Sequence, residues 1–217
     1  MKIRTLEELS DFLDSEIAWR KQELSYVKSL QAKHRFKAAA EPLIRSGITL
    51  LYAHWEGFVK SAGDAYVHYV SRRNLRYAEL VPAFVALGMR GTIEQALGGN
   101  RAATYVDAAR FLLDGLNRQS RLPRKDAVST MGNLSSGVLR DVTSFLGLDF
   151  SPYETKTVLI DRQLLHNRNE IAHGQYLSMD LEQYWEIHDK VVGLLETFHF
   201  QLYSAAEQQQ YRRTTAP

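Results

Sequence analysis

Apolar residues recur three and four positions apart through most of this chain, and only 5 prolines interrupt its 217 residues. That period matches one face of an α-helix, whereas a half-buried strand needs alternation of period two. The pattern therefore restricts the chain to helices packed on helices. The first helix is expected to begin at Thr5, which forms a capping box with Glu8. Leu6, Leu9, Leu13 and Ile17 then mark its inner face, with Glu7, Asp11, Asp14 and Lys21 on the solvated side. A second long helix spans about 41–72, buried through Leu43, Ile44, Leu50, Leu51, Phe58 and Val59. Gly47 and Gly57 weaken it relative to Ala, which is explained if another backbone approaches closely there.

Residues 74–100 are less regular. Pro82, Gly88, Gly91 and the Gly98-Gly99-Asn100 cluster punctuate them, so short helices are expected. Further helices are expected over 102–116 and 133–146, joined by a basic loop at 117–126. Residues 151–172 form the next helix, with Ser151 as cap, Pro152 in the first turn and Gly174 as the terminator. The last helix starts near Asp180 and turns Leu181, Tyr184, Trp185, His188, Val191, Val192, Leu195 and Phe198 inward. The expectation is an all-α bundle of about five to seven helices in a single domain over 1–210. A tail at 211–217, without a core stripe, is expected to be mobile.

Composition narrows the function classes. The chain has no cysteine, which excludes disulfides, thiolate catalysis and cysteine-built zinc sites and fits a reducing cytoplasm. Its start, MKIRTLEELSDFLDSE, lacks the apolar stretch of a signal peptide, and no segment approaches a membrane span, so no membrane partner is expected. A net charge of +2 does not mark a nucleic-acid binder by itself, because phosphate affinity depends on where basic residues cluster.

The segment Arg168-Asn169-Glu170-Ile171-Ala172-His173-Gly174 carries the chemical signal. Asn169 and His173 share a helix face four residues apart, as Glu170 and His173 do at three. His suits proton transfer near neutral pH, and the planar guanidinium of Arg suits a phosphate. Together they suit RNA transphosphorylation, in which the ribose supplies its own nucleophile and no metal or cofactor is needed. Spacing alone also fits a plainer reading, with Arg168 pairing a carboxylate and His173 capping the helix end. A metal site built from His54, His166 and His173 lacks ligand spacing.

This heptapeptide resembles the R-x4-H motif of HEPN ribonucleases (the higher eukaryote and prokaryote nucleotide-binding superfamily). The earlier Ala53-His54-Trp55-Glu56-Gly57-Phe58-Val59-Lys60 resembles a signature of prokaryotic stand-alone HEPN proteins tied to toxin–antitoxin or defence functions. The resemblance covers about 41–206. It implies a HEPN-like helical bundle that dimerises through its motif helices, with Arg168, His173 and Asn169 in a composite RNA-cleaving cleft. His54, Glu56, Glu170 and Tyr176 become supporting candidates. Glu56 is read either as orienting Arg168 or raising the proton affinity of His173, or as satisfying buried polar groups beside a core Trp55. Some HEPN toxins carry a Tyr two residues after the motif His, where a nucleotidyltransferase antitoxin modifies it. Here Gln175 holds that position and Tyr176 follows, so the resemblance implies an antitoxin partner less directly. The resemblance equally accommodates a catalytically inactive HEPN module that binds RNA, nucleotide or a partner protein.

Overall fold

The computed structural model describes residues 3–35, 39–98, 102–123 and 125–214. Its elements are α1 (Leu6–His34), α2 (Ala40–Ser71), α3 (Pro82–Gly98), α4 (Ala102–Arg110), α5 (Ser136–Leu146), α6 (Asn167–Ala172) and α7 (Leu181–Glu207). Short 3-10 turns occupy Tyr77–Glu79 and Ser151–Lys156, and π-helical stretches occupy Phe111–Gly115 and Leu159–His166. Strand-like pairing among the described residues is confined to two isolated bridges, Arg76 with Gln119 and Leu80 with Arg212. The architecture is an all-α bundle.

The helix starts follow local chemistry. Thr5 and Glu8 exchange side-chain-to-backbone hydrogen bonds at the head of α1, and Asp180 and Gln183 do the same at the head of α7. Each pair satisfies two amides that a helix start leaves open. The three longest helices, α1, α2 and α7, pack against one another and enclose the core. Leu9, Leu13 and Leu24 meet Ile48, Leu51, Trp55, Phe58 and Val59 of α2 and Tyr184, Val191, Leu195 and Phe198 of α7, all buried. Trp55 anchors the centre, with its ring edge-on to Phe198. Salt bridges from Lys21 to Glu196 and Lys28 to Asp189, and a hydrogen bond between His199 and Asp14, line the outer seam between α1 and α7.

The two α2 glycines behave differently. A Cβ on Gly47 would lie 2.5 Å from Gln31 Nε2 and 2.6 Å from Tyr184 Cε2, so this position does permit close packing of all three helices. A Cβ on Gly57 would meet only Arg20 Nη2, at an ordinary 3.5 Å. Gly88 does not break α3, which is one long helix rather than short pieces. It makes room for the Tyr77 ring, whose Cε1 would lie 2.4 Å from an added Cβ. Gly99 and Asn100 lie outside the described residues.

Three boundaries differ from the sequence expectation. Ser151 does not cap its helix: its amide and hydroxyl both donate to Asp149, and a 3-10 turn follows. The helix expected from 133 starts at Ser136, because the Ser135 hydroxyl caps it by accepting the Val138 amide. Asn133 is thereby left in a loop. The expected tail also begins too early at 211. Tyr211 is only 2 % exposed and sits edge-on to Tyr69, its carbonyl accepts the Val81 amide, and the Arg213 amide donates to Glu79. A single aromatic with no neighbouring apolar repeat is invisible to periodicity, yet here it closes the core. Residues 215–217 lie outside the described residues.

Candidate functional site

The motif helix changes pitch on its way to the site. The 3-10 turn Ser151–Lys156 gives way to the π-helical Leu159–His166, which leads into α6. Leu159, Ile160 and Leu164 are buried, and the segment packs on α2. π-Stretches of this kind are uncommon within α-helices and frequent at functional sites. Gly174 ends α6 at φ +75, a left-handed conformation that glycine adopts without side-chain strain. The amides of His173, Gly174 and Gln175 close the end on the carbonyls of Asn169, Ile171 and Glu170. His173 is exposed at this terminus, while Arg168, Asn169 and Glu170 are half-buried.

Arg168 is held on several sides. Its Nη2 donates to Asn133 Oδ1 at 2.9 Å and to the Gly132 carbonyl at 3.3 Å. Its Cζ lies 4.1 Å from the centre of the Tyr52 ring, a cation–π stack. Its Nε is buried without a hydrogen-bond partner. Tyr52 is itself fixed, because its hydroxyl accepts the Leu134 amide at 2.7 Å. Burial raises the proton affinity of that hydroxyl, partly offset by the Leu134 amide and Arg168 and reinforced by the charge of Glu56.

Glu56 does not bond to Arg168 or His173. Its carboxylate accepts the Thr130 hydroxyl, two residues before Gly132. About two helical turns further along the same stripe of α2, Asp64 accepts the amides of Asp126 and Val128. The loop over 126–134 is therefore tied to α2 at Tyr52, Glu56 and Asp64, and it presents Gly132 and Asn133 to Arg168.

The remaining candidates separate. His54 points the other way, toward α1. It is 5 % exposed, edge-on to Trp19, with Nε2 2.8 Å from Glu23 Oε2 but off the line of a good hydrogen bond. Burial lowers its proton affinity, and Glu23 opposes that shift. Tyr176 is exposed rather than packed, and its hydroxyl donates to Glu41 at the start of α2. That hydrogen bond raises its proton affinity. Arg45 donates to the Gln175 carbonyl, and the Gln175 side-chain amide lies against the Glu170 carboxylate. The stretch after His173 is thus clasped to α2. Beside the clasp, Pro42, Arg45, Thr49, Leu50 and Ala53 line a groove of about 520 Å³ with Ile171. His166 is exposed. Among the described residues, no group of three or more His, Asp or Glu side chains is placed to hold a metal ion. No helix among them is long and apolar enough to cross a membrane.

Sequence reasoning named Arg168, Asn169, Glu170 and His173, which stand on α6 and at its C-terminal cap. It missed Tyr52, Asn133, Arg45 and Glu41. Tyr52 had a usable signal, since it stands four residues before Glu56 and so shares its helix face. Asn133 had none.

The HEPN_MAE_28990-like HEPN family model matches residues 9–211. No curated protein and no solved structure gives a match. The matched span runs from the first turn of α1 through Tyr211 and contains the loop over 126–134 and both motif stretches. The chain belongs to the HEPN_MAE_28990-like HEPN family.

Proposed function

We propose that this protein is a metal-independent RNA endonuclease of the HEPN type, acting as a toxin or antiviral effector through a composite site in a homodimer. The observation that carries the reading is the end of α6, where a firmly held guanidinium and an exposed imidazole stand in one HEPN motif. The ribose 2′-oxygen attacks the adjacent phosphorus as its proton passes to a base. The bond from phosphorus to the 5′-oxygen breaks, and that oxygen takes a proton from an acid. His173 serves one of these proton transfers and its symmetry mate the other. Arg168 stabilises charge on the phosphoryl oxygens. Asn169, half-buried on the same turn, orients the substrate. The products are a 2′,3′-cyclic phosphate and a 5′-hydroxyl.

The dimer face is the end of α6 with the groove along Pro42, Arg45, Thr49 and Leu50, and a specific interface there buries more than about 1,000 Å² in total. A cognate antitoxin, a nucleotidyltransferase among the candidates, is a further possible partner.

One observation favours a second reading. Nη2 of Arg168 is already engaged twice by the loop, as in a side chain that pins structure. Under that reading the protein is a catalytically silent HEPN module that binds RNA, nucleotide or a partner protein. Incubation with total RNA in EDTA separates the two. Cleavage by wild type that is lost in His173→Ala, with helicity and dimerisation retained, supports the nuclease. Undiminished cutting by His173→Ala removes the assigned site. Efficient cutting of RNA carrying a 2′-deoxy sugar at the scission position defeats the 2′-hydroxyl mechanism.

A further inference from the structure

An arginine fixed in one orientation gives up about 2 kcal/mol of rotamer freedom, so a guanidinium set before substrate arrives requires contacts that hold it. Arg168 has them. The Tyr52 ring covers one face, both hydrogens of Nη2 have acceptors in Asn133 and Gly132, and Nε is shielded. The loop supplying the acceptors is not relaxed. Met131 and Gly132 are consecutive left-handed residues, at φ +52 and φ +75, and a non-glycine in that region costs about 1–3 kcal/mol unless its surroundings hold it. The surroundings are α2, through Glu56 on Thr130 before the turn and Tyr52 on the Leu134 amide after it.

From this geometry we infer that Tyr52, Asn133 and, through Thr130, Glu56 are positioning residues that aim the Arg168 guanidinium at the scissile phosphate. The inference rests on the nucleolytic reading above. It also gives the Glu of the His54-Trp55-Glu56 triplet a role that involves no contact with either motif residue. The reaction then depends on a loop that lies outside both sequence motifs.

The informative variant is Asn133→Ala, because Asn133 is exposed and its loss leaves the core intact. In the full-length protein, kcat on RNA is expected to fall about tenfold while KM stays within about twofold, since a displaced guanidinium weakens transition-state contacts more than ground-state binding. Asn133→Asp, which keeps the acceptor, should recover part of that loss. The second measurement needs no activity. Nitrogen-15 spectra of the arginine side chains, with Arg168 assigned by its absence in Arg168→Lys, should show hindered rotation of its guanidinium in wild type. Asn133→Ala should show averaging. Unchanged Arg168 signals in Asn133→Ala overturn the inference, as does unchanged kcat in that variant of an active enzyme. If wild type cleaves no RNA, the nucleolytic reading fails by itself, and the spectra still decide whether the loop positions Arg168.

Discussion

Replacing Gly47 with Ala tests how tightly the three central helices meet. On helix propensity alone the change should stabilise α2 by about 1 kcal/mol. The added Cβ, however, would stand 2.5 Å from Gln31 Nε2 and 2.6 and 2.8 Å from two carbons of the Tyr184 ring. Tyr184 is fully buried and has nowhere to retreat. Gln31 is 1 % exposed, and its amide donates to the Leu43 carbonyl at 3.0 Å, so moving it sacrifices that bond. Overpacking costs about 1–3 kcal/mol and the lost hydrogen bond about 1 kcal/mol. Set against the propensity gain, the net is a destabilisation of about 2 kcal/mol, or a Tm drop of about 4–8 °C for a chain of this size. Gly193→Ala in α7 is the matched control, because nothing lies within 4 Å of its added Cβ. It should stabilise by up to about 1 kcal/mol. Urea unfolding of the two variants beside wild type measures both. If Gly47→Ala proves as stable as Gly193→Ala, the close approach of α1, α2 and α7 at this position is wrong.

Tyr211→Ala should cost about 3 kcal/mol in urea unfolding, the usual loss for a buried aromatic, whereas a tail without core contacts would lose almost nothing. His54 should make the protein acid-sensitive. Its folded pKa is depressed by burial, so the stability tied to its neutral form is complete above the unfolded value near 6.5 and is lost as pH falls below it. His54→Gln should therefore flatten the slope of stability against pH just below about 6.5, and an unaltered slope there counts against the burial argument. Arg168→Lys should lower kcat at least about tenfold, because an ammonium cannot stack as a plane on Tyr52 and bond two loop acceptors while facing a phosphate. Lys125→Ala, in the exposed basic loop, should alter RNA affinity only, chiefly at low salt, which titrations at two ionic strengths would show.

The elements legible in the sequence were those governed by neighbours along the chain. The capping box at Thr5 and Glu8, the stop at Gly174 and the start at Asp180 each depend on a few adjacent residues, and all three stand where the pattern put them. What escaped was set by distant partners. Gly88 suggested a break in α3, but it is a socket for Tyr77. Ser151 suggested a cap, but Asp149 lies within reach and takes both of its donors. Apolarity puts Val192 inward, yet it is only half-buried, while Leu194, which the pattern did not mark, is buried beside Val191 and Leu195.

The candidate site divides in the same way. That the helix closes at His173 follows from sequence, since Gly174 beside it is a natural terminator. That Arg168 is anchored does not, because Asn133 lies 35 residues away and meets it only through the path of the loop. The helix itself adds a constraint that the linear motif conceals. Residues five apart on an α-helix are rotated by about 140° and separated by about 7.5 Å along its axis. Arg168 and His173 of one chain thus leave the helix in different directions, and Arg168 cannot turn toward His173 without giving up its contacts with Asn133, Gly132 and Tyr52. A single phosphate is more readily met by the arginine of one copy and the histidine of a second. The motif spacing and the hold on Arg168 are therefore consistent with the site proposed above, shared between two copies of the chain.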